Sequence, residues 1–196
     1  LDKHDYVKDF KPTLKDKKSI AKTLAVYSAF TEGLQLFSSF AILLNFPRFG
    51  KMKGMGQIVT YSIRDESLHV EAMTQLFKEF IKENLEIWTD DFKREIYQIC
   101  REMVRLEDKF LDLVFAMGDI QGLTKEDMYA YNRYIADRRL LQLGLKTNFK
   151  QKENPLGWLD EVMGIEHQNF FEGRATAYMK AGLRGDSGKL IFREIE

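Results

Sequence analysis

The sequence predicts an all-α protein, a helical bundle in which no segment has the pattern of a strand. Long stretches repeat apolar residues with the period of about 3.6 residues that is typical of an amphipathic helix. Helix-breaking residues are few, because the 196 residues include only three prolines, Pro12, Pro47 and Pro155. A chain of this length can bury a substantial core. We therefore expect residues 1–196 to form a single helical unit.

The predicted helices follow from periodicity and from capping residues. Residues 1–16 are polar, and we expect them to form an irregular lead-in. Helix one should run from about Asp16 to Asn45, because Pro47 disfavours helical geometry at the residue before it. Further helices are expected over Lys53–Glu83, 90–117 after Thr89, 125–143 after Thr124, and 164–180. Residues 182–196 then form a mobile tail or a docking segment.

Composition and charge exclude several classes of partner. The chain has 30 basic and 30 acidic residues, so no strong field favours nucleic acid or an anionic membrane. Thr31, Glu32 and Gln35 interrupt the most apolar stretch, and we expect no membrane-spanning helix. Cys100 is the only cysteine, which excludes an internal disulfide and fits a reducing compartment. With no signal peptide evident, we expect a cytoplasmic protein.

A candidate metal-binding motif lies in the second predicted helix. Glu66 and His69 are three residues apart, so on an α-helix both side chains share one face. Carboxylate proteins with two iron or two manganese ions hold metal in a helical bundle through this Glu-x-x-His pattern, together with a Glu from a neighbouring helix. Taken alone the motif is weak, because a glutamate three residues before a histidine is often only part of a solvated surface.

Glu32 is the candidate for that neighbouring glutamate. It lies in an apolar helical stretch, where a buried carboxylate is costly unless it binds metal or forms an ion pair with a Lys or Arg. If the first two long helices form an antiparallel hairpin with its tip near Phe49, residues at the same level have numbers that sum to about 98. Glu32 and Glu66 satisfy this relation. The helical register alone therefore brings Glu32, Glu66 and His69 together, with a metal site or a buried ion pair as the two interpretations of Glu32.

Several motifs in order resemble one known family, the small, radical-generating subunit of class I ribonucleotide reductase. The resemblance runs from about Thr23 to Ala181 and corresponds to the C-terminal half of that subunit. Its most specific segment is Arg64-Asp65-Glu66-Ser67-Leu68-His69. The other matching positions are Thr31-Glu32-Gly33, Phe37-Ser38-Ser39-Phe40, Tyr134, Arg139, Gly144-Leu145, Asn154-Pro155, Trp158, Asn169-Phe170-Phe171-Glu172, Arg174 and Tyr178.

This resemblance implies a ferritin-like helical protein with a carboxylate-bridged di-iron centre, or alternatively a di-manganese or mixed manganese–iron centre. Glu32, Glu66 and His69 would be three of the six ligands. Asp65 would have a radical-transfer role, hydrogen-bonded to the other ligand histidine. The implied activity is that of ribonucleoside-diphosphate reductase, an oxidoreductase that supplies deoxyribonucleotides for DNA synthesis. The implied partners are a large subunit and, in the assembled small subunit, a second copy.

The chain also departs from the family pattern. The family's first acidic ligand, its other Glu-x-x-His and its radical tyrosine precede the point that corresponds to residue 1. Glu66 and His69 form the only Glu-x-x-His in the sequence, and Tyr27 and Tyr61 do not align with the radical position, so we expect both in the core. The missing ligands would come from a separate N-terminal half or from a second copy of this chain. Without either, we expect the chain to be inactive.

Two other functional classes remain open. The chain could be a component of another ferritin-like di-iron oxidase or monooxygenase, although the Asn169-Phe170-Phe171-Glu172 and Asn154-Pro155 segments argue against this. It could also be a non-catalytic helical interaction module. Metal content distinguishes the module from the two enzymes, and ribonucleotide reduction with a large subunit distinguishes the two enzymes from each other.

Overall fold

A computed structural model of the chain describes residues 2–8, 10 and 16–161. Its contacts divide the chain into two compact units, residues 1–157 and 158–196, and the fold described below is that of the first unit. The predicted helix over 164–180 and the tail over 182–196 lie outside the described residues. Within the described part the secondary structure is helical, apart from one isolated bridge between Ile120 and Leu123. The all-α prediction is confirmed.

The first long helical run is not uniformly α-helical. Helix α2 spans Lys17–Ala25, a π-helical segment spans Val26–Gln35, and helix α3 spans Leu36–Arg48. The Thr31 hydroxyl donates to the carbonyl of Val26, five residues earlier, at 3.2 Å, as the wider π-helical turn allows. The sequence predicts a single α-helix here, because helical periodicity does not distinguish a π-helical stretch within an otherwise regular helix.

Helix α3 ends at Arg48, three residues beyond the predicted end at Asn45. The Asn45 side chain explains part of the difference, because it accepts a hydrogen bond from Arg48 Nη1 at 2.8 Å and donates to the Gln121 carbonyl at 2.9 Å. The Pro47 ring packs closely against helix α4, where a Cβ on Gly56 would lie 2.3 Å from Pro47 Cγ. These contacts outweigh the local preference against helix before a proline.

The remaining helices of this unit agree with the prediction. Helix α4 spans Lys53–Glu83, helix α5 spans Asp90–Ala116 and helix α6 spans Lys125–Gln142. A short 3-10 turn over Leu85–Ile87 precedes α5. The hydroxyls of Thr89 and Thr124 cap α5 and α6, and Thr124 forms a reciprocal capping box with Asp127. The caps were predictable because serine, threonine and aspartate satisfy the free N–H groups of the first turn.

The helical run from Lys17 to Arg48 lies at the centre of the bundle. It packs against α4 along its whole length, against α5 through α2 and the π-helical segment, and against α6 through the π-helical segment and α3. Large, fully buried side chains come from the π-helical segment, α4, α5 and α6: Phe30, Leu34, Phe77, Phe92, Ile96, Met103, Leu111, Met128 and Leu140. No helix among the described residues is long and apolar enough to cross a membrane.

The lead-in differs from the prediction, because helix α1 spans Asp2–Lys8. The reason is a tertiary contact that local sequence does not reveal. Lys3 donates a hydrogen bond to Glu107 Oε2 at 3.0 Å and lies 4.0 Å from the centre of the Phe110 ring. Glu107 is 0% exposed, and its Oε1 has no hydrogen-bond partner. An ion pair with α5 therefore stabilises a helix too short to form alone.

Burial raises the pKa of Glu107 to about 7 even though Lys3 acts to lower it. An acid whose pKa is higher in the folded state stabilises the fold at low pH, and this contribution is lost as the pH rises through the folded pKa. We expect the free energy of unfolding to fall by on the order of 3 kcal/mol between about pH 4.5 and pH 7 because of this group. Glu107→Gln should remove this fall, measured by urea unfolding across that range.

The matched control is Glu102→Gln on the same helix. Glu102 forms an exposed pair with Arg105, which lowers the pKa of its carboxyl. This substitution should leave the fall in stability between pH 4.5 and pH 7 in place. Identical pH profiles for the parent chain and Glu107→Gln would contradict the assignment.

Candidate metal centre

Helix α4 carries two of the three predicted ligands on one face. Glu66 and His69 lie one turn apart, and His69 Nδ1 is 3.5 Å from Glu66 Oε2. The Glu66 side chain is 24% exposed and the His69 side chain is 61% exposed. The helix therefore presents a carboxylate at the edge of the core and an imidazole that reaches toward the surface.

Glu32 approaches the same point from the π-helical segment over Val26–Gln35. One potential ligand atom from each of Glu32, Glu66 and His69 can be chosen so that all three lie within 4.8 Å of one another. Among the described residues this is the one such group of three histidine, cysteine, aspartate or glutamate side chains. The convergence predicted from the hairpin register is confirmed, and the assignment of the three residues as metal ligands stays a prediction.

The cluster contains two carboxylates but only one imidazole. Partial burial raises the pKa of Glu32, and the nearby Glu66 carboxylate raises it further, whereas His69 lowers it. Within the described ranges Glu32 forms no ion pair with a lysine or arginine, which disfavours the second interpretation of this residue. Glu66 Oε2 is buried and has no hydrogen-bond partner. Two carboxylates therefore lie close together, and one of their oxygens is buried without a hydrogen bond, an arrangement that a bound cation would stabilise.

The donor set suits a first-row metal ion. Two carboxylate groups and one imidazole offer hard oxygen atoms and a nitrogen, which fit iron and manganese. They do not offer the thiolates that mark soft-metal sites, and Cys100 is buried elsewhere in the core. Three side chains cannot complete the coordination of two ions, since bundle sites of this type use four glutamates and two histidines. The residues present fit half of such a centre.

Other residues near the cluster lie closer to solvent than expected. Asp65 is exposed, and in the part of the chain that the structure describes it makes no hydrogen bond or ion pair. Tyr27 is 37% exposed and Tyr61 is 52% exposed, so the prediction that both lie in the core is wrong. Among the described residues, neither tyrosine is fully covered by neighbouring side chains.

One contact beside Glu32 does not follow from helical periodicity or register. Arg139 of α6 donates from Nε to the carbonyl of Gly33 at 2.8 Å, next to the predicted ligand. A Cβ on Gly33 would lie 2.6 Å from that nitrogen. The signal in the sequence is a glycine inside an otherwise apolar helix, which often indicates the close approach of another group.

Comparison with known proteins identifies the family. A sequence model described as "Ribonucleotide reductase, small chain" matches residues 1–155. Protein 048L of Invertebrate iridescent virus 3, named a probable ribonucleoside-diphosphate reductase small subunit, is 44% identical over 171 residues. That alignment covers 86% of this chain and 46% of the viral protein. The ribonucleoside-diphosphate reductase subunit beta of Chlamydia pneumoniae is 36% identical over 162 residues, covering 82% of this chain and 46% of the relative.

Solved structures agree with this result. A protein from Bacillus halodurans assigned to the class I ribonucleotide reductases superimposes with a TM-score of 0.77 at 29% identity, covering 82% of this chain and 58% of that one. The ribonucleotide reductase R2 subunit from Clostridium botulinum has a TM-score of 0.68 at 28% identity, covering 71% and 44%. The ferritin-like fold is thereby confirmed. The chain spans about half the length of the relatives it matches, and it belongs to the ribonucleotide reductase small chain family.

Proposed function

We propose that this chain is the C-terminal part of a ribonucleotide reductase small subunit and supplies one half of its di-metal centre. Glu32, Glu66 and His69 are the proposed ligands. The observation that carries the proposal is their convergence from two helices, with ligand atoms within 4.8 Å of one another and one buried carboxylate oxygen unsatisfied. Residues 1–196 would act as a single unit in this role.

The proposed activity is that of ribonucleoside-diphosphate reductase, which converts ribonucleotides to deoxyribonucleotides together with a large subunit. A bound di-iron centre, or a di-manganese or mixed manganese–iron centre, would supply the oxidising equivalent. The chain's own contribution is to hold metal through two carboxylates and an imidazole and to position those groups from a rigid hairpin. Asp65 would accept a hydrogen bond from the ligand imidazole that is absent from this chain, which fixes ring orientation in metal sites.

The site needs a complementary half. A complete centre of this type takes four glutamates and two histidines, and this chain supplies two glutamates and one histidine. An exposed apolar stripe on α4 supports docking next to the site: Ile58 is 67% exposed, Tyr61 52% and Leu68 56%. These side chains share a helical face with Asp65, and contiguous apolar surface of this kind marks an interaction site.

Two sources of the complementary half fit the ligand count. A separate N-terminal half would bring its own acid and Glu-x-x-His, and a second copy of this chain would bring the same three ligands about a two-fold axis. We favour the separate half, because the two halves of such a subunit are not interchangeable in detail. The assembled small subunit would itself be a homodimer. The single, buried Cys100 supports a reducing, cytoplasmic location.

The first prediction concerns the ligands. Glu66→Ala and His69→Ala should each weaken binding of Mn²⁺ or Fe²⁺ by about tenfold or more, because each removes a donor atom that no neighbour replaces. Elemental analysis of variants with unchanged helicity, after equilibration at a fixed metal concentration, measures the effect. The matched controls are Glu71→Ala on the exposed face of α4 and His4→Ala on α1, which delete the same groups away from the cluster. Equal metal content in all four variants would remove the site assignment.

The second prediction concerns Asp65. Asp65→Ala should leave much of the metal bound and should impair ribonucleotide reduction, because the carboxylate lies beside the ligands rather than among them. The assay contains both halves of the small subunit and a large subunit, with metal content measured in parallel. Normal reduction by a fully loaded Asp65→Ala variant would show that the carboxylate has no role in transfer.

The third prediction concerns assembly. The chain alone should not support nucleotide reduction and should bind metal weakly as a monomer, because it supplies only half of the ligands of such a centre. Mass and metal content are measured together, with and without the complementary half. Tight binding of two metal ions by a proven monomer would contradict the half-site, and activity with a large subunit alone would show that no complementary half is needed.

A further inference from the structure

The π-helical segment that carries Glu32 has an unusual neighbour. Arg139 on α6 extends to the carbonyl of Gly33, and its Nε donates to that oxygen at 2.8 Å. Its Nη1 donates to Gln142 Oε1 at 2.8 Å, and the guanidinium lies 4.8 Å from the centre of the Phe37 ring. The residue is only 7% exposed. Among the described residues, Arg139 forms no ion pair with a carboxylate.

Such an arrangement is costly for a residue that serves packing alone. A buried guanidinium without a carboxylate partner has lost water and has gained only carbonyl, amide and ring contacts. Burial lowers the pKa of Arg139 to about 10, so the side chain still carries its charge at neutral pH. Gly33 is matched to this contact, because a Cβ there would lie 2.6 Å from Arg139 Nε and 2.9 Å from Cδ.

The contact between Arg139 and Gly33 lies within the π-helical segment, whose hydrogen bonds set the helix geometry around Glu32. The π-helical segment spans Val26–Gln35, and the Leu36 N–H closes it by donating to the Thr31 carbonyl, five residues earlier. An additional residue in a turn rotates the side chains on either side by about 100° relative to each other. The direction of the Glu32 side chain therefore depends on where the wide turn lies. Arg139 holds the peptide that directly follows Glu32.

We infer that Arg139 is a positioning residue for the metal centre: by holding the Gly33 carbonyl it keeps Glu32 in the register that meets Glu66 and His69. This inference rests on the proposed function, since it assigns a role toward the same metal. It adds a residue from a third helix that has no ligand atom of its own. Arg139 contacts the Gly33 carbonyl and not the metal. Its replacement should therefore change metal affinity more than it changes the stability of the fold.

The test compares two substitutions that differ in one donor atom. Arg139→Gln retains an amide nitrogen at the side-chain position of Nε, so it can still donate to the Gly33 carbonyl. Arg139→Met places a methyl carbon at that position and cannot donate. We expect Arg139→Met to weaken Mn²⁺ binding by about tenfold and Arg139→Gln to restore most of this loss. Binding is measured on the full chain by the electron paramagnetic resonance signal of free Mn²⁺, with variants compared in the same state of association.

Two reference variants separate the possible causes of a change. Arg133→Met, on the same helix, breaks the ion pair between Arg133 and Asp108, whose Nη2–Oδ2 distance is 2.7 Å, and should lower stability without changing Mn²⁺ affinity. Glu66→Ala removes a proposed ligand. If Glu66→Ala leaves Mn²⁺ binding unchanged, the proposed function itself fails. If Glu66→Ala weakens binding and Arg139→Met does not, or if Arg139→Gln binds no better than Arg139→Met, only the positioning role is overturned.

A second variant keeps the test decisive if Arg139→Met does not fold. Gly33→Ala should displace the guanidinium and also weaken Mn²⁺ binding several-fold, and unchanged affinity in this folded variant would overturn the inference. Where both single variants fold, the double variant should lose no more affinity than the worse of the two, because both substitutions break the same contact. Fully additive losses would show that Gly33 and Arg139 act independently and would likewise contradict the inference. Circular dichroism and a Co²⁺ absorption spectrum report helicity and ligand geometry for each variant.

Discussion

The close approach of two carboxylates, Glu32 and Glu66, is the main constraint on how the helices of this half of the bundle pack. Glu32 and Glu66 share a site with one imidazole, and one Glu66 oxygen is buried without a hydrogen-bond partner. Burial and the nearby Glu66 carboxylate raise the pKa of Glu32, and a bound cation would offset this repulsion. Most of the bundle is otherwise ordinary, with apolar packing between long helices and exposed ion pairs. The two carboxylates therefore fit the proposed metal-binding role better than a role in stability.

The register of the hairpin that brings these carboxylates together is set by contacts at its turn, far from the carboxylates. The turn after Arg48 is tied to the loop before α6 through Asn45 and the Gln121 carbonyl, and the Pro47 ring packs onto Gly56. Because α3 and α4 are rigid once packed, the turn sets how far each helix slides along the other. A slide of one residue would move a ligand by about 1.5 Å and rotate it by about 100°. The turn therefore helps to set the geometry of the candidate metal site, although it contributes no proposed ligand.

Much of this architecture could be predicted from sequence because it depends on local rules. The bounds of α4, α5 and α6 follow from apolar periodicity and from the Thr89 and Thr124 caps, and the meeting of Glu32 with Glu66 follows from counting residues back from one turn. The failures have tertiary causes. Helix α1 forms because Lys3 reaches Glu107 on α5. Tyr61 is 52% exposed, because helical periodicity alone does not show which face of α4 the other helices cover.

The π-helical segment is the clearest case of a feature that local sequence cannot determine. Nothing in the composition of Val26–Gln35 favours wide turns, and the same residues would satisfy an α-helix. The segment also makes a long-range contact, the guanidinium of Arg139 at the Gly33 carbonyl, which requires the glycine and α6 at the right distance. Helix distortions of this kind occur frequently at functional sites. The π-helical distortion and the buried Arg139 guanidinium, which has no carboxylate partner among the described residues, both cost free energy and both lie next to Glu32. A fixed direction of the Glu32 carboxylate would compensate for that cost.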